Sequence, residues 1–239
     1  MIDPTVPVLA GFDLEATGVD PTTARILEAA LVVEGLAAAV GPASYVRYVD
    51  PGADVEIPPI VTEITGISRQ TLDKRGADPT AVAVATLAGL LRDFADREIP
   101  LVVMNATYDL TLLGAEAARQ GVTIVWPPVI DPLVLDRAVD RYRRGKRTLT
   151  ALAAHYDVPL DRAHTAEADV LAAIGVARAI LDRNPDLAGM DPADLHRFQQ
   201  DAHRVWADGY NAWARVNAPD RTPASADWPG VPHPLDREG

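Results

Sequence analysis

The first fifty residues contain three apolar stretches separated by turn residues. Residues 7–14 form a continuous apolar run, which predicts a buried β-strand, and residues 25–34 predict a second one. Residues 43–49 alternate apolar and polar positions well enough to predict a third strand. Because the connections are short and contain glycine or proline, we expect these three strands to form an antiparallel meander.

After residue 58 the pattern changes to helices that alternate with short strands. Residues 60–67 predict a short helix that ends at Gly66, and a longer helix begins at Asp78 or Thr80 and runs to about residue 97. The remaining predicted elements are strands at 101–104 and 129–131 and helices at 108–120, 132–143, 148–156 and 166–181. Meandering strands followed by such alternation predict a mixed α/β fold.

The C-terminal region differs in composition from the rest of the chain. We predict a domain at 1–181, a helical extension at 182–216 and a proline-rich, flexible tail at 217–239. The extension contains one amphipathic helix at 191–216 with an aromatic stripe. We expect this stripe to be a docking face on the main domain rather than a stacking platform for bases. The stripe consists of Phe198, Trp206, Tyr210 and Trp213.

Composition restricts the chemistry and the location of the protein. The chain has no cysteine, so a metal ion would have to be held by oxygen or imidazole ligands. A net charge of -12 argues against broad adhesion to nucleic acid or membranes, although it permits a local basic patch. No apolar run reaches the ~20 residues that span a bilayer, and the start of the chain has no signal-peptide pattern. We therefore expect a cytoplasmic protein.

Two acidic residues close the first predicted strand. Asp13 and Glu15 are separated by one apolar residue, so strand alternation places both on the same face. Such neighbouring charges repel each other, and a bound cation or a shared proton would compensate for the repulsion. The alternative is a strand end whose acids simply face water.

Further candidate ligands occur at the ends of other elements. Asp109 comes shortly after the predicted strand at 101–104, and Asp169 lies in the first turn of a helix that Thr165 can cap. His164 precedes that helix, five residues ahead of Asp169. Together with Asp13 and Glu15, these residues form an oxygen-rich set that suits Mg²⁺ or Mn²⁺. Two such ions would support in-line attack on a phosphodiester.

Three motifs give these residues a family context. Residues 12–18 read F-D-L-E-A-T-G, residues 105–113 read N-A-T-Y-D-L-T-L-L, and residues 164–169 read H-T-A-E-A-D. The set resembles the motifs of the DEDDh 3′→5′ exonucleases, the DnaQ-like family of the polymerase proofreading subunit, ribonuclease T and oligoribonuclease. The resemblance covers about residues 7–180. Three lesser landmarks occur in family order at 25–28, 64–67 and 146–149.

The resemblance implies a ribonuclease-H-like sheet and a role for each motif residue. Asp13, Glu15 and Asp169 would be ligands of a first divalent cation, either Mg²⁺ or Mn²⁺. Asp13 would bridge to a second such ion, which Asp109 would also hold. His164 would be the general base, and the usual pKa of histidine near 6.5 suits that role.

The resemblance also implies contacts to the 3′-terminal nucleotide of single-stranded DNA or RNA. Ala16 and Thr17 would meet the sugar, Ile67 would wedge against a base and Tyr108 would stack nearby. Asn105 is a further candidate contact in the same motif. Ordinary core packing is the alternative for Ile67 and Tyr108.

One basic cluster could attract the strand to this acidic protein. We expect Arg143 and Arg144 to contact phosphates, and the alternative is a solvated surface. The whole cluster consists of Arg141, Arg143, Arg144, Lys146 and Arg147.

The sequence supports one leading function and two alternatives. The leading hypothesis is a metal-dependent 3′→5′ exonuclease that releases nucleoside 5′-monophosphates, with DNA favoured. The alternatives are an oligoribonuclease-like or ribonuclease-T-like trimming enzyme, and a catalytically silent nucleic-acid-binding or scaffold module. Met104 and Thr65 stand where many family members have histidine, which leaves the subfamily open. A proofreading role would require a polymerase, or another replication or repair protein, as partner.

Overall fold

The computed structural model describes residues 8–35, 43–160, 165–233 and 235–236. The strands found there are β1 (Leu9–Ala16), β2 (Ile26–Glu34), β3 (Ala43–Asp50), β4 (Asp78–Pro79), β5 (Leu101–Val102) and β6 (Val129–Ile130). The helices found there are α1 (Pro59–Thr65), α2 (Arg69–Arg75), α3 (Thr80–Asp96), α4 (Ala106–Gln120), α5 (Pro132–Val139), α6 (Leu149–His155), α7 (Ala166–Arg183), α8 (Pro185–Ala188) and α9 (Pro192–Asn217).

The described strands form one mixed sheet in the order β4-β3-β2-β1-β5-β6. Strands β1, β2 and β3 pair antiparallel to each other, as the predicted meander requires. Strand β5 is parallel to β1, and β6 is parallel to β5. The carboxyl ends of β1, β5 and β6 therefore lie at the same edge of the sheet.

One face of the sheet packs against α3 and α4. Ala10, Phe12 and Leu14 point to this side from alternate positions of β1 and are buried. They share a hydrophobic cluster with Leu87 of α3 and Leu110 of α4. The alternation predicted for the end of β1 thus directs its apolar residues into the core.

The opposite face of the sheet packs against α7. Ala30 and Val32 of β2 are buried in one cluster with Val170 and Ile174 of α7. Gly11 of β1 lies directly below the helix, since an added Cβ would be only 2.6 Å from Cγ1 of Val170. The absence of a side chain at Gly11 allows the first half of α7 to approach β1 closely. That half of the helix contains Asp169.

Helix α9 covers the exposed edge of the sheet at β6. The backbone N–H of Val129 donates to Nδ1 of His196 at 3.0 Å, and the Gln199 side-chain amide donates to the Val129 carbonyl at 2.9 Å. The backbone N–H of Asp131 donates to the Gln199 side-chain oxygen at 2.7 Å. These side chains replace a neighbouring strand, so the polar groups of the edge are satisfied.

The helix docks mainly through residues outside the predicted aromatic stripe. Its buried residues are Leu195, His196, Gln199, His203, Ala207 and Ala214. The aromatic stripe is instead partly or fully accessible, and half of the Trp213 side chain is exposed. The sequence interpretation therefore predicted the presence and extent of the helix, but only Phe198 of the aromatic stripe packs against the buried cluster that contains Val170 and Ile174.

The segment after α9 has no regular secondary structure where it is described, but it packs on the domain. Trp228 and His233 are buried, and His233 stacks on His196 with ring centroids 4.2 Å apart. The O–H of Thr111 in α4 donates to the Gly230 carbonyl at 3.1 Å. The predicted flexible tail thus contains residues that are anchored against α4 and α9.

Several element boundaries differ from the prediction for local reasons. The helix predicted at 132–143 ends at Val139, because the following loop folds back so that Arg143 and Arg147 contact Asp136. Helices α2 and α8 were not predicted. No helix in the described part of the chain has the length and hydropathy that crossing a membrane requires.

Candidate active site

Two predicted site residues lie on the α7 side of β1. Asp13 and Glu15 alternate with the core residues of this strand and are both partly buried. Glu28 of β2 is directly opposite Glu15 in the antiparallel ladder, so its side chain lies on the same face. The structure therefore adds a third carboxylate that the sequence interpretation treated only as part of a family landmark.

Asp109 is held against the backbone of β1. It lies in the first turn of α4, is 4% exposed, and its Oδ1 accepts a hydrogen bond of 3.0 Å from the backbone N–H of Leu14. Leu14 is the residue between Asp13 and Glu15. The second motif is thus fixed to the first by one direct hydrogen bond.

The start of α4 is positioned by a buried residue that the sequence interpretation missed. Asp131 accepts hydrogen bonds of 3.0 Å from the backbone N–H groups of Asn105 and Ala106. It also accepts from the indole N–H of Trp228 at 3.2 Å. Asn105 has a left-handed backbone with φ of 62°, which these contacts support. The only sequence signal for Asp131 was its position at the end of a short apolar strand.

The third motif, at residues 164–169, continues into the first turn of α7. Thr165 caps this helix by accepting a hydrogen bond from the backbone N–H of Ala168, and Asp169 lies in the first turn. The close approach at Gly11 brings this turn toward β1, and the charge of Asp169 contributes to the raised pKa of Asp13. His164 lies outside the described residues.

Burial and mutual repulsion perturb these acids strongly. Burial, followed by the charges of Glu15, Asp169 and Glu28, raises the pKa of Asp13 to about 8. Burial, followed by Glu28 and Asp169, raises the pKa of Glu15 to about 7. The pKa of Asp109 is raised well above its usual value by burial and then by Asp13. The four motif carboxylates thus form one electrostatic group that is unfavourable when fully ionised.

The donor chemistry of this group fits a hard divalent cation. All its ligating atoms are carboxylate oxygens, which Mg²⁺ and Mn²⁺ prefer, and a cation would offset the repulsion that raises the pKa values. Among the described residues, no three acidic or histidine side chains converge on a point that could hold an ion.

Three predicted substrate contacts border this site. Ala16 ends β1, and Thr17 forms two hydrogen bonds with Arg25, one from its own N–H at 3.0 Å and one to its hydroxyl at 2.9 Å. The O–H of Tyr108 donates to the carbonyl of Gly18. Burial and the nearby acids raise the pKa of Tyr108 to about 12, so its hydroxyl stays neutral. Thr17 and Tyr108 thus stabilise the turn that follows the carboxylates.

Two other predicted contacts have different surroundings. Ile67 is only 2% exposed and packs in a small cluster with Leu27 and Leu72, so it is a core residue and not an accessible wedge. This corrects the assignment of Ile67 to substrate binding. Asn105 is exposed at the start of α4.

Arg143 is a structural residue. Its guanidinium donates to both carboxylate oxygens of Asp136, at 3.1 and 3.2 Å, and its side chain is 9% exposed. Asp136 is fully buried and also accepts hydrogen bonds from Arg147 and from the Tyr156 O–H. Nε and Nη2 of Arg143 are thus used internally, which argues against the predicted phosphate contact at this residue. Arg144 is exposed.

A second buried acid that the sequence interpretation missed secures α4 to the first hairpin. Glu116 is fully buried and accepts two hydrogen bonds from Arg25, at 2.8 and 3.0 Å. Arg119 donates to Glu116 at 3.0 Å and to the carbonyl of Thr22. An acid within the apolar stripe of a predicted helix is the signal that could have identified it.

The fold and the site define a class of protein. The protein has a mixed sheet with helices on both faces, and a group of carboxylates lies at the C-terminal end of β1. This is the ribonuclease-H-like class, which confirms the predicted fold class. The family model described as Exonuclease matches residues 10–177. The chain belongs to this exonuclease family, of the DnaQ-like, DEDD type, as the motifs predicted.

Similar sequences occur within much longer proteins. The chain is 28% identical over 162 residues to the DNA polymerase III PolC-type of Streptococcus suis (strain 98HAH33), which covers 66% of this chain and 10% of that protein. It is 29% identical over 166 residues to the corresponding protein of Streptococcus pyogenes serotype M18 (strain MGAS8232), with the same coverage. The chain thus spans about a tenth of the length of these relatives.

Solved structures of exonuclease I share the fold. E. coli exonuclease I in complex with a dA16 oligonucleotide has a TM-score of 0.65 at 20% identity, covering 83% of this chain and 44% of that one. A zinc-ion-bound form of its complex with single-stranded DNA has a TM-score of 0.63 at 20% identity, and the match covers 83% of this chain and 43% of that one. Exonuclease I from Methylocaldum szegediense has a TM-score of 0.58 at 24% identity and covers 83% and 44%.

Proposed function

We propose that this protein is a metal-dependent 3′→5′ exonuclease acting on single-stranded nucleic acid, with DNA favoured. It hydrolyses the terminal phosphodiester and releases nucleoside 5′-monophosphates. One observation carries the proposal: Asp13, Glu15, Asp109 and Asp169 form a single electrostatic group in which each carboxylate raises the pKa of a neighbour or has its own pKa raised. A structural role would not require this accumulation of buried, mutually repelling acids.

The four acids are the proposed holders of two Mg²⁺ or Mn²⁺ ions. When bound, such ions would supply an activated water and stabilise the leaving oxygen. The contribution of the chain is to fix the ligands, since the Leu14 N–H orients Asp109 and Asp131 fixes the start of the helix that contains it. His164 remains the proposed general base on the strength of the motif resemblance.

The preference for DNA is supported by the proteins that this chain resembles. The relatives are DNA polymerases of the PolC type, and a structural neighbour binds a dA16 oligonucleotide. A polymerase or repair protein is therefore the proposed partner class, and a cytoplasmic location stays a prediction from the sequence. Ala16, Thr17, Asn105 and Tyr108 are the proposed contacts for the terminal nucleotide, and Arg144 is proposed to contact phosphate.

A direct assay tests this function. Single-stranded DNA, RNA and dinucleotides labelled at the 5′ end are incubated with the protein and Mn²⁺, with and without a chelator. We expect a ladder that shortens from the 3′ end of DNA, with nucleoside 5′-monophosphates as products. Asp13→Asn should lower the rate by about 100-fold or more, because a group that organises transition-state charge is lost. Asp54→Asn is the control, since Asp54 is an exposed acid.

The other outcomes of the cleavage assay would support one of the two alternative functions. Cleavage confined to short RNA would indicate a trimming enzyme related to oligoribonuclease or ribonuclease T. Nucleic-acid binding without any cleavage that depends on metal and Asp13 would indicate a binding or scaffold module.

A further inference from the structure

The second half of α9 extends beyond the edge of the sheet where the carboxylates lie. His196 contacts Val129 at the start of β6, and Gln199 contacts both Val129 and Asp131, which follows the end of β6, so the helix runs in the same direction as β6. Because β6, β5 and β1 are parallel, that direction leads past the edge where β1 ends. Residues after Gln199 therefore lie on the same side of the sheet as the candidate active site.

This part of the helix presents a row of aromatic rings. Trp206 and Tyr210 stack with centroids 5.6 Å apart and 20° between the ring planes, and Trp213 follows at 6.1 Å from Tyr210. The spacing of these residues places the rings on one side of the helix. The guanidinium of Arg137, from α5, lies 3.6 Å from the centroid of Trp206, which fixes the first ring by a cation–π contact.

Tyr210 and Trp213 are not needed to attach α9 to the domain. The docking face consists of other residues, and the side chain of Trp213 is 50% exposed. A groove of about 510 Å³ separates the row from α5 and the loop that follows it. Tyr142, which is 84% exposed, lies on the opposite wall of the groove.

The charge of the groove differs from that of the whole protein. The chain carries a net charge of -12, yet Arg137 and Arg141 both line this groove. The lining acid Asp201 accepts a hydrogen bond from Arg204 at 3.3 Å, so a third arginine offsets its charge. Aromatic rings combined with arginine guanidinium groups match the bases and phosphates of a single strand.

We propose that Trp206, Tyr210 and Trp213, together with Arg137 and Arg141, bind the single-stranded nucleic acid upstream of the 3′ end that is cleaved. This inference rests on the proposed function, because it assigns a binding track to the substrate of that site. The bases stack on Tyr210 and Trp213, because Trp206 already contacts Arg137 and Tyr210, and Arg141 contacts the backbone. Along α9, Trp206 and Trp213 lie ~10 and ~21 Å beyond Gln199, at 1.5 Å per residue.

This geometry predicts that affinity depends on the length of the strand. Trp206 and Trp213 are about 10 Å apart along the helix axis, at 1.5 Å per residue. We expect an oligonucleotide of four residues to occupy the candidate active site, and one of twenty residues to cover both the site and the aromatic row.

Binding is measured on the full chain in chelator, so that no cleavage occurs, with fluorescein-labelled dT4 and dT20. We expect the double substitution Tyr210→Ala/Trp213→Ala to weaken dT20 binding about fivefold or more and to leave dT4 binding unchanged. Trp213→Phe should retain most of the affinity because it preserves the stacking surface. Arg141→Ala should weaken dT20 binding and reduce its salt dependence. Val216→Ala and Arg215→Ala are matched controls, since both residues are exposed on α9 and neither lines the groove.

The cleavage assay separates this inference from the proposed function. With Mn²⁺, the double variant should show a higher KM on dT20, while kcat and the rate on dT4 stay as in the wild type. If the wild type does not cleave but binds dT20 through these residues, the exonuclease proposal fails and the binding track stands. Equal dT20 affinity in the double variant and the Val216→Ala control would overturn the track. A wild-type dimer that becomes monomeric in the double variant, measured by light scattering, would also overturn it, because the groove would then be an interface between copies of this chain.

Discussion

The side-chain oxygen of Gln199 accepts a hydrogen bond of 2.7 Å from the backbone N–H of Asp131. The carboxylate of Asp131 in turn accepts the N–H groups of Asn105 and Ala106 at the start of α4. Since α4 contains Asp109, the C-terminal helix is linked to a candidate metal ligand through one residue. The extension is thus part of the support for the site.

We expect Gln199→Ala to destabilise the protein by about 2–6 kcal/mol, because two buried backbone groups each lose a partner at a cost of ~1–3 kcal/mol. These groups are the N–H of Asp131 and the carbonyl of Val129. Urea unfolding measures the loss, and the rate on DNA should also fall because α4 is less firmly held. Gln200→Ala is the control, since the hydrogen bond from Gln200 to Asp236 lies at the surface. Equal unfolding midpoints for the two variants would show that the edge does not depend on Gln199.

The two arginines predicted to bind phosphate should behave differently on substitution. Arg143→Ala removes a nearly buried partner of Asp136, and we expect a loss of about 3 kcal/mol, at the low end for breaking a buried pair because Arg147 remains. Arg144→Ala should leave stability within about 0.5 kcal/mol, since Arg144 is exposed. Denaturant unfolding of both variants measures these two changes in the free energy of unfolding. A stable Arg143→Ala variant with weakened DNA binding would restore the original assignment.

The parts of the site that depend on local periodicity could be predicted from the sequence. Alternation along β1 placed Asp13 and Glu15 on one face and the core residues on the other, and the structure has this arrangement. The cap at Thr165 and the position of Asp169 in the first turn of α7 also follow from local helix rules. The antiparallel meander followed from three apolar stretches with short connections.

The remaining features depend on contacts between distant segments. Arg143 reads as a surface residue in a basic cluster, and only the folded loop brings it to Asp136. For Ile67 the family resemblance implied a wedge and core packing was the alternative, and only the contacts with Leu27 and Leu72 decide for core packing. The role of Gln199 could not be predicted without knowing that β6 is the edge strand.

The stability of the metal-free protein should fall as the pH rises toward 8. The folded-state pKa values of Asp13 and Glu15 are raised to about 8 and about 7. Between the unfolded values near 4 and these values, the folded protein holds protons that the unfolded chain has lost. The contribution of these groups to stability is therefore greatest at low pH and is lost as the pH rises.

Addition of Mn²⁺ at pH 8 should raise the Tm of the wild type, because the cation replaces the lost protons as the compensating charge. Asp13→Asn should be more stable than the wild type in chelator at pH 8 and should gain much less from Mn²⁺. Thermal unfolding with and without Mn²⁺ checks both expectations, and Asp54→Asn again serves as the exposed control. Equal shifts in wild type and Asp13→Asn would indicate that the ion binds elsewhere.

Three buried histidines at the junction of α9 and the tail should lower the stability of the protein as the pH falls, which is opposite to the effect of the carboxylates. Burial lowers the pKa of His196 to about 3, with His233 as the next cause, and burial also lowers the pKa values of His203 and His233. Below the unfolded value of about 6.5, the unfolded chain binds protons that the folded protein excludes. His196 therefore removes up to ~1.4 kcal/mol of stability per pH unit as the pH falls from about 6.5, and His203 and His233 act in the same direction.

Comparison of variants isolates this effect from the carboxylates, whose contribution is common to all of them. The free energy of unfolding is measured at pH 7, 6 and 5 for the wild type, His196→Gln and His155→Gln. His196→Gln should show a smaller loss at pH 5 relative to its own value at pH 7, because one excluded proton is gone. His155 is exposed, so its variant should retain the wild-type pH dependence. The fluorescence of Trp228, whose ring centroid is 5.0 Å from that of His196, should report release of the tail in the same pH range. An identical pH dependence in all three proteins would mean that the junction does not exclude protons at His196.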